Sequence, residues 1–442
     1  MDIRLKLTGA RRGAKVPESK ITANSPIEHL PLPEKVIIPM QQHIGAENAP
    51  LVSRGTPVLT GQKIGESEKF ISAPVHATLS GEISGGSVVI NPPTGELTKT
   101  LAITSDGADK WVELEKTKDP KSLSVKKIIE MVKEAGIVGM GGAAFPTHVK
   151  LQPPKEKKID SVILNGCECE PFVTADHRIM LEYGEQVLSG LNIIRKVLAP
   201  QNVYIGIEDN KEDAIEHLEE LISKSDFARD FKIAPLKSKY PTGAEKTLIE
   251  VILGREVPIG GLPMDVGVVV QNVGTAKAIH DTIFEGKPLI ERVVTVTGAV
   301  KQPKNLLVRI GTPLRNLIEY CGGMEEGANE IILGGPMMGI SHFDLDFPVT
   351  KGTSCVLVRE SVPVKEQECI SCGRCLGVCP MRLMPTLLTK YAKTGRYDAA
   401  EEAYVNNCVE CGSCAYACPA RIPIVQYIKV AKKELVKRKA NK

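Results

Sequence analysis

Aromatic side chains are scarce in this chain: they make up 4 % of it, with one tryptophan. That leaves little stacking surface for binding unpaired bases. Charge is not in excess either. The 56 basic and 53 acidic residues give a net +3, which offers no electrostatic footprint for nucleic acid. No stretch approaches the ~18 apolar residues of a membrane span. The opening Met1-Asp2-Ile3-Arg4 lacks the apolar stretch of a secretory signal. These absences predict a cytosolic chain with no nucleic-acid partner and no membrane span, held by partner proteins if it works at a membrane. The rest is ordinary: 42 % hydrophobic and 25 % charged over 442 residues, which at ~100–200 residues per domain predicts two to four domains.

Cysteine is the informative residue. Eight of the twelve cysteines lie between positions 369 and 418. In a reducing compartment such clustering reads as metal ligation rather than disulfides. Cys369, Cys372, Cys375 and Cys379 form C-x2-C-x2-C-x3-C before Pro380, and Cys408, Cys411, Cys414 and Cys418 repeat it before Pro419. Two-residue gaps wrap the backbone so that three sulfurs converge, and the fourth must come from elsewhere. In two-cluster ferredoxins the fourth cysteine of each run serves the other cluster. This predicts one 4Fe–4S cluster on Cys369, Cys372, Cys375 and Cys418, and a second on Cys408, Cys411, Cys414 and Cys379. Structural zinc normally takes two C-x-x-C pairs with a longer gap, which these tight triplets do not provide. Helical patterns over 382–393, 397–405 and 422–439 make this a helical ferredoxin module. The basic end (Lys429, Lys432, Lys433, Lys437, Arg438, Lys439, Lys442) reads most simply as a solvated helix face, or else as a contact for anionic lipid or an acidic partner.

Upstream, helical patterns at 124–135, 177–198, 212–222, 244–253 and 275–284 alternate with apolar strands at 161–164, 203–207 and 266–270. That alternation predicts a parallel sheet flanked by helices. Residues 136–150 read GIVGMGGAAFPTHVK. Gly139, Gly141 and Gly142 leave backbone bare to offer amides to a phosphate or lie against a ring system, and Lys150 adds a positive charge. A plain tight loop is the competing reading. Residues 165–171, NGCECEP, follow the 161–164 strand, where a ligand is expected in an α/β sheet. Asn165, Glu168 and Glu170 are suited to bond a ribityl chain, a ribose or a carboxamide. Cys167, Cys169, Cys321 and Cys355 have no ligand partners in sequence and read as buried or pocket-lining thiols.

These residues carry a resemblance. GMGGAAFPTHVK looks like the glycine-rich motif of the flavin-binding subunit of respiratory NADH dehydrogenase, and NGCECEP looks like its Asn-x-Asp-Glu-x-Glu-Pro stretch. Residues 240–245, YPTGAE, and 271–275, QNVGT, resemble two further contact segments in the same order. The resemblance implies FMN held by Gly139, Gly141, Gly142, Lys150, Asn165, Glu168, Asn272 and Thr275. It implies NAD(H) near Phe145, Glu170, Tyr240 and Glu245. Cys167, Ala244 and Gly274 depart from that pattern where the family has acidic residues, so flavin potential and nucleotide affinity should differ. Because NAD(H) moves two electrons and a 4Fe–4S cluster one, a flavin belongs between them.

Residues 30–90 alternate short strands with glycine turns and resemble biotinyl and lipoyl carrier domains. The hairpin reads Pro74-Val75-His76-Ala77 without the carrier lysine, so no carrier function is expected. His43 and His76 read as structural. Residues 291–350 resemble a soluble-ligand-binding β-grasp module. The expected architecture is thus multidomain α/β. It comprises an N-terminal carrier-like β module (1–115), a parallel-sheet FMN/NADH domain (120–290), a β-grasp module (291–355) and a helical two-cluster ferredoxin domain (360–442). That order is similar to the C subunits of Rnf complexes, membrane-bound ferredoxin:NAD+ oxidoreductases that pump Na+ or H+. The resemblance implies a peripheral place on the cytoplasmic face of the membrane among other subunits. A Gly-Gly-x-His-Pro stretch of that family appears here as Gly9-Ala10-Arg11-Arg12-Gly13-Ala14-Lys15. A microcompartment cobalamin reductase shares the module order, and a flavin-free iron–sulfur relay or scaffold protein is the reading from a different class.

Overall fold

The computed structural model describes residues 3–91 and 95–440. Its centre is a four-stranded sheet in the order Phe231–Leu236, Asn202–Glu208, Ser161–Asn165, Val268–Asn272, with every pairing parallel. These strands are short apolar runs, as strands covered by helices on both faces must be. Ser161 to Leu164 and the whole of Val268–Asn272 are buried. The flanking helices are capped by local chemistry: Ser124 accepts from Lys127 N ahead of Val125–Glu134, and Asn272 from Gly274 N and Thr275 N ahead of Val273–Glu285.

The single long helix expected over 177–198 is instead two, Ala175–Glu182 and Gly184–Leu198. The break falls where Gly184 packs against a neighbouring helix: a Cβ there would lie 2.7 Å from Leu221 and 3.1 Å from His217. The apolar spacing continues across the break, so periodicity could not show it.

A six-stranded mixed sheet follows, in the order Ile27–His29, Lys304–Arg309, Glu291–Gly298, Cys355–Arg359, Glu330–Leu333, Ile340–His342. Its first strand comes from the N-terminus. The preceding residues run along the outer edge of the four-stranded sheet, where Leu5 N donates to Ile233 O and Lys237 N to Thr8 O, covering backbone that would otherwise stand unpaired. The carrier-like β module therefore begins near Lys35, with two small sheets around a core of Val36, Ile38, Ile64, Val75, Leu79 and Ile103.

The ferredoxin module is helical, with Arg374–Val378, Pro385–Lys393, Tyr397–Glu402, Ser413–Tyr416 and Ile424–Ala440. Much of its basic C-terminal face is spent internally: Lys432 pairs with Glu410, Arg438 with Asp398, and Lys439 with Glu401. Lys442 lies outside the described residues.

One buried cation ties three modules together. Lys351 Nζ donates to Pro74 O at 2.6 Å and Gly136 O at 2.7 Å, and its backbone N donates to Gln42. Burial pushes its ammonium down to about 7, while His43 and His76, nearby, are pushed to about 4 and about 3 by burial and then by Lys351. The folded state therefore holds fewer protons at Lys351 than the unfolded chain between about pH 7 and the ordinary lysine value of 10.5. Stability from this site should rise with pH across that window. Raising the pH from 7 to 9 should stabilise the parent by about 2 kcal/mol relative to Lys351→Met, read as the change in their difference in unfolding midpoint. An unchanged difference would show that the ammonium stays protonated throughout.

Candidate electron-transfer site

The strand order reverses between Ser161–Asn165 and Val268–Asn272: the chain first builds outward on one side of Ser161–Asn165, then returns to the other. A crevice opens at the carboxyl ends of strands at such a switch point. Asn165 and Asn272 are register partners there. Over them lies the glycine-rich loop, fixed by Gly139 N to Phe145 O at 2.8 Å and Met140 N to Thr275 Oγ1 at 2.9 Å. A Cβ on Gly141 would come within 3.6 Å of Asn272, while Gly142 at φ +108° faces open space. The exposed backbone of Gly141 and Gly142 thus stands beside the first turn of Val273–Glu285, whose positive dipole end favours a phosphate. The Nε2 of buried Gln271 has no hydrogen-bond partner among the described residues.

The remaining polar residues are held in detail. Asn165 Nδ2 donates to Gly243 O at 2.8 Å. Lys150 pairs with Glu245 at 2.6 Å and donates to Val270 O, placing a residue expected near phosphate against one expected near nucleotide. Glu168 accepts from Asp176 N and His177 N, so its carboxylate caps the helix Ala175–Glu182. Glu170 accepts from Met337 N at 3.1 Å, Met338 N at 2.9 Å and Tyr240 Oη at 3.3 Å. Burial raises the Glu170 carboxyl, against the pull of those donors. Phe145 is half-buried within the same loop.

Four contributors escaped the sequence. Asp176 accepts from Asn272 Nδ2 at 2.6 Å; burial, and then Glu168, hold it well above the usual carboxylate range. Lys20 Nζ donates to Glu168 O, Glu170 O and Val173 O at 2.7, 2.8 and 2.6 Å, and Lys211 Nζ to Cys167 O at 2.6 Å, so two lysines grip the carbonyls of 165–173 from behind. The segment 334–339, GGPMMG, supplies the donors to Glu170. Its Gly-Gly-Pro run was a readable turn signal.

The cysteines fall into two groups. Cys379, Cys408, Cys411 and Cys414 line one pocket with Leu383, Leu388, Val425 and Ile428. Cys379 thus sits with the second motif. Cys418 lies within electrostatic reach of Cys375 in the first. Among the described residues the thiols do not close to the spacing that one zinc ion at ~2.3 Å from each sulfur requires. An apolar cavity walled by four thiols fits a cubane cluster. Cys369 and Cys372 are exposed, whereas Cys411 and Cys414 are buried. Of the other thiols, Cys167, Cys321 and Cys355 are buried.

Fold and site together define an electron-transfer flavoprotein with an iron–sulfur relay. Residues 132–281 match the Nuo51 FMN-binding domain, 8–108 the RnfC barrel sandwich hybrid domain, 293–341 the SLBB domain and 362–428 the 4Fe-4S dicluster domain. The chain is 49 % identical over 431 residues to the C subunit of the proton-translocating ferredoxin:NAD(+) oxidoreductase complex of Clostridium ljungdahlii, covering 96 % of this chain and 93 % of that one. It is 45 % identical over 435 residues to the Na(+)-translocating counterpart of Acetobacterium woodii, covering 95 % and 96 %. The chain belongs to the family of C subunits of Rnf-type ferredoxin:NAD+ oxidoreductase complexes, which bears out the resemblance. Among solved structures, an NAD+-reducing [NiFe]-hydrogenase in the H2-reduced state shares the fold, with a TM-score of 0.50 and 20 % identity over 70 % of this chain and 63 % of that one. No helix among the described residues is long and apolar enough to cross a membrane.

Proposed function

We propose that this chain passes electrons between NAD(H) and the other subunits of an ion-translocating ferredoxin:NAD+ oxidoreductase, bound peripherally on the cytoplasmic face of the membrane. The observation that carries this reading is the crevice itself: Asn165 and Asn272 in register at the switch point, beneath the Gly139–Gly141–Gly142 backbone. FMN, when bound, accepts a hydride and releases electrons singly. Gly139, Gly141 and Gly142 leave room for it, Lys150 answers its phosphate, and Asn165, Asn272 and Thr275 set its polar edge. Glu168 shapes the floor by capping its helix. Phe145, Tyr240 and Glu245 face the nucleotide side, with Glu170 at the same edge.

The order of the relay follows from position. Tyr240, beside Glu170, lies within electrostatic reach of Cys411. The group Cys379, Cys408, Cys411 and Cys414 is therefore the first to receive electrons from the flavin. Cys369, Cys372, Cys375 and Cys418 form the outer station, with Cys369 and Cys372 exposed to a partner protein.

The decisive experiment is an anaerobic titration of reconstituted protein with NADH, following flavin and iron–sulfur absorbance together. Both should bleach, the flavin first. Protein that binds no FMN, or whose clusters stay oxidised, would sink the proposal. Within the site, Asn272→Ala removes a helix cap and the Asp176 bond together. It should cost about 1–2 kcal/mol, roughly a tenfold loss in FMN affinity by fluorescence titration.

A further inference from the structure

The segment 334–339 touches both ends of the first electron step. On one side, Met337 N and Met338 N donate to the Glu170 carboxylate. Gly335 lies so close to that carboxylate that a Cβ would stand 2.2 Å from its Oε2. Gly339 is equally constrained, because a Cβ there would meet Gly335 O at 2.3 Å. On the other side, the carbonyl of Met337 packs under Gly412, where a Cβ would be 2.6 Å away. Gly412 sits between Cys411 and Cys414, at φ +79°, and starts the short helix that carries Cys414. One residue, Met337, thus gives its N–H to the flavin-domain loop and turns its C=O to the cluster loop.

We propose that 334–339 is a strut that sets the position of the first cluster against the flavin crevice, and that Glu170 acts as its positioning residue rather than as a nucleotide ligand. This rests on the electron order proposed above. The carboxylate has two backbone donors and a tyrosine hydroxyl already, which leaves it little capacity for a ribose or carboxamide. The ferredoxin module has other anchors. Arg382 pairs with Glu250 and Glu256 of the flavin domain, and Arg12 Nη1 donates to Leu376 O. Loss of the strut should therefore displace the cluster without releasing the module. The step affected moves one electron at a time. With FMN and both clusters bound, oxidation of one NADH to NAD+ would supply two electrons, one for each oxidised cluster, with release of a proton.

Gly335→Ala tests this without touching flavin, nucleotide or sulfur. In anaerobic single-turnover mixing with NADH, flavin bleaching should stay within about twofold of the parent while cluster bleaching slows about tenfold. Amide exchange, read by mass spectrometry on the unreduced protein, should rise in 334–339 and also in 410–413. Glu170→Gln, which keeps volume and one strong acceptor, should show the same split more weakly, and it decides the matter if Gly335→Ala does not load clusters. Two results overturn the strut: both bleaching phases unchanged in Gly335→Ala, or Glu170→Gln slowing flavin bleaching with a raised KM for NADH. Failure of the parent itself to bleach its clusters would instead overturn the electron order.

Discussion

Cys379→Ser is expected to remove the cluster of the other motif. The protein should retain one cluster, on Cys369, Cys372, Cys375 and Cys418, with its iron and sulfide content halved. Cys379 is the last cysteine of its run, yet it lines the same cavity as Cys408, Cys411 and Cys414. Its thiol accepts from Leu383 N at 3.4 Å, so it is already oriented by the chain that leaves the first motif. The mirror change, Cys418→Ser, should remove the outer cluster and spare the inner one. The two variants separate sharply in function. Cys379→Ser should leave NADH able to bleach flavin but unable to reduce the remaining cluster at any useful rate, because the station nearest the crevice is gone. Cys418→Ser should keep NADH-driven reduction of the inner cluster and lose transfer to an external acceptor. Iron analysis, with electron paramagnetic resonance of the dithionite- and NADH-reduced proteins, checks both. If each variant lost the cluster of its own motif, crossed ligation would be wrong. Loss of NADH-driven reduction in Cys418→Ser, with Cys379→Ser spared, would reverse the order of the relay.

How much of this was legible beforehand depended on whether a function is written in local spacing. The two cysteine runs, the glycine-rich loop and residues 165–171 are contiguous, and each one's chemistry constrains its neighbours in sequence. Asn272 was reachable only through the resemblance of 271–275, QNVGT, to a flavin-contact segment. The parts that were missed act at long range. Lys20 reaches carbonyls 148 to 153 positions away. In the sequence it is one lysine in a polar stretch, and most lysines of that kind are solvated. Lys351 looks equally ordinary, yet it is buried against Pro74 and Gly136. The strut at 334–339 carries a turn signal, but nothing local says that its amides meet Glu170. The role of Glu168 changed for a related reason: its carboxylate is used up by two backbone amides nine or fewer residues on, and a capping interaction of that kind gives no Ser-x-x-Glu pattern to read.

Lys20→Met should be the most damaging change outside the cofactor ligands. The ammonium holds three carbonyls of one loop at 2.6 to 2.8 Å, and that loop carries Glu168 and Glu170. Burial lowers its tendency to stay charged, and Glu168 partly restores it. Each hydrogen bond from a charged donor contributes ~1.5–3 kcal/mol, and removal of the ammonium leaves acceptors facing a side chain that cannot answer them. The relief of desolvating a cation offsets several kcal/mol of that loss. The net cost should be about 3 kcal/mol. Its consequences should concentrate in the crevice, because the neighbouring Thr22–Thr174 contact at 2.6 Å still ties the N-terminal segment to the domain. With the carbonyls of Glu168 and Glu170 free to turn, the helix cap at Asp176 and the acceptor for the 334–339 amides should both loosen. Purified Lys20→Met is therefore expected to lose FMN on gel filtration, to unfold earlier in the flavin domain, and to keep both clusters. Lys20→Arg should recover FMN only in part, since a planar guanidinium cannot direct three donors from one nitrogen. FMN retention equal to the parent in Lys20→Met would mean that Lys211, which grips Cys167 O, holds the loop unaided.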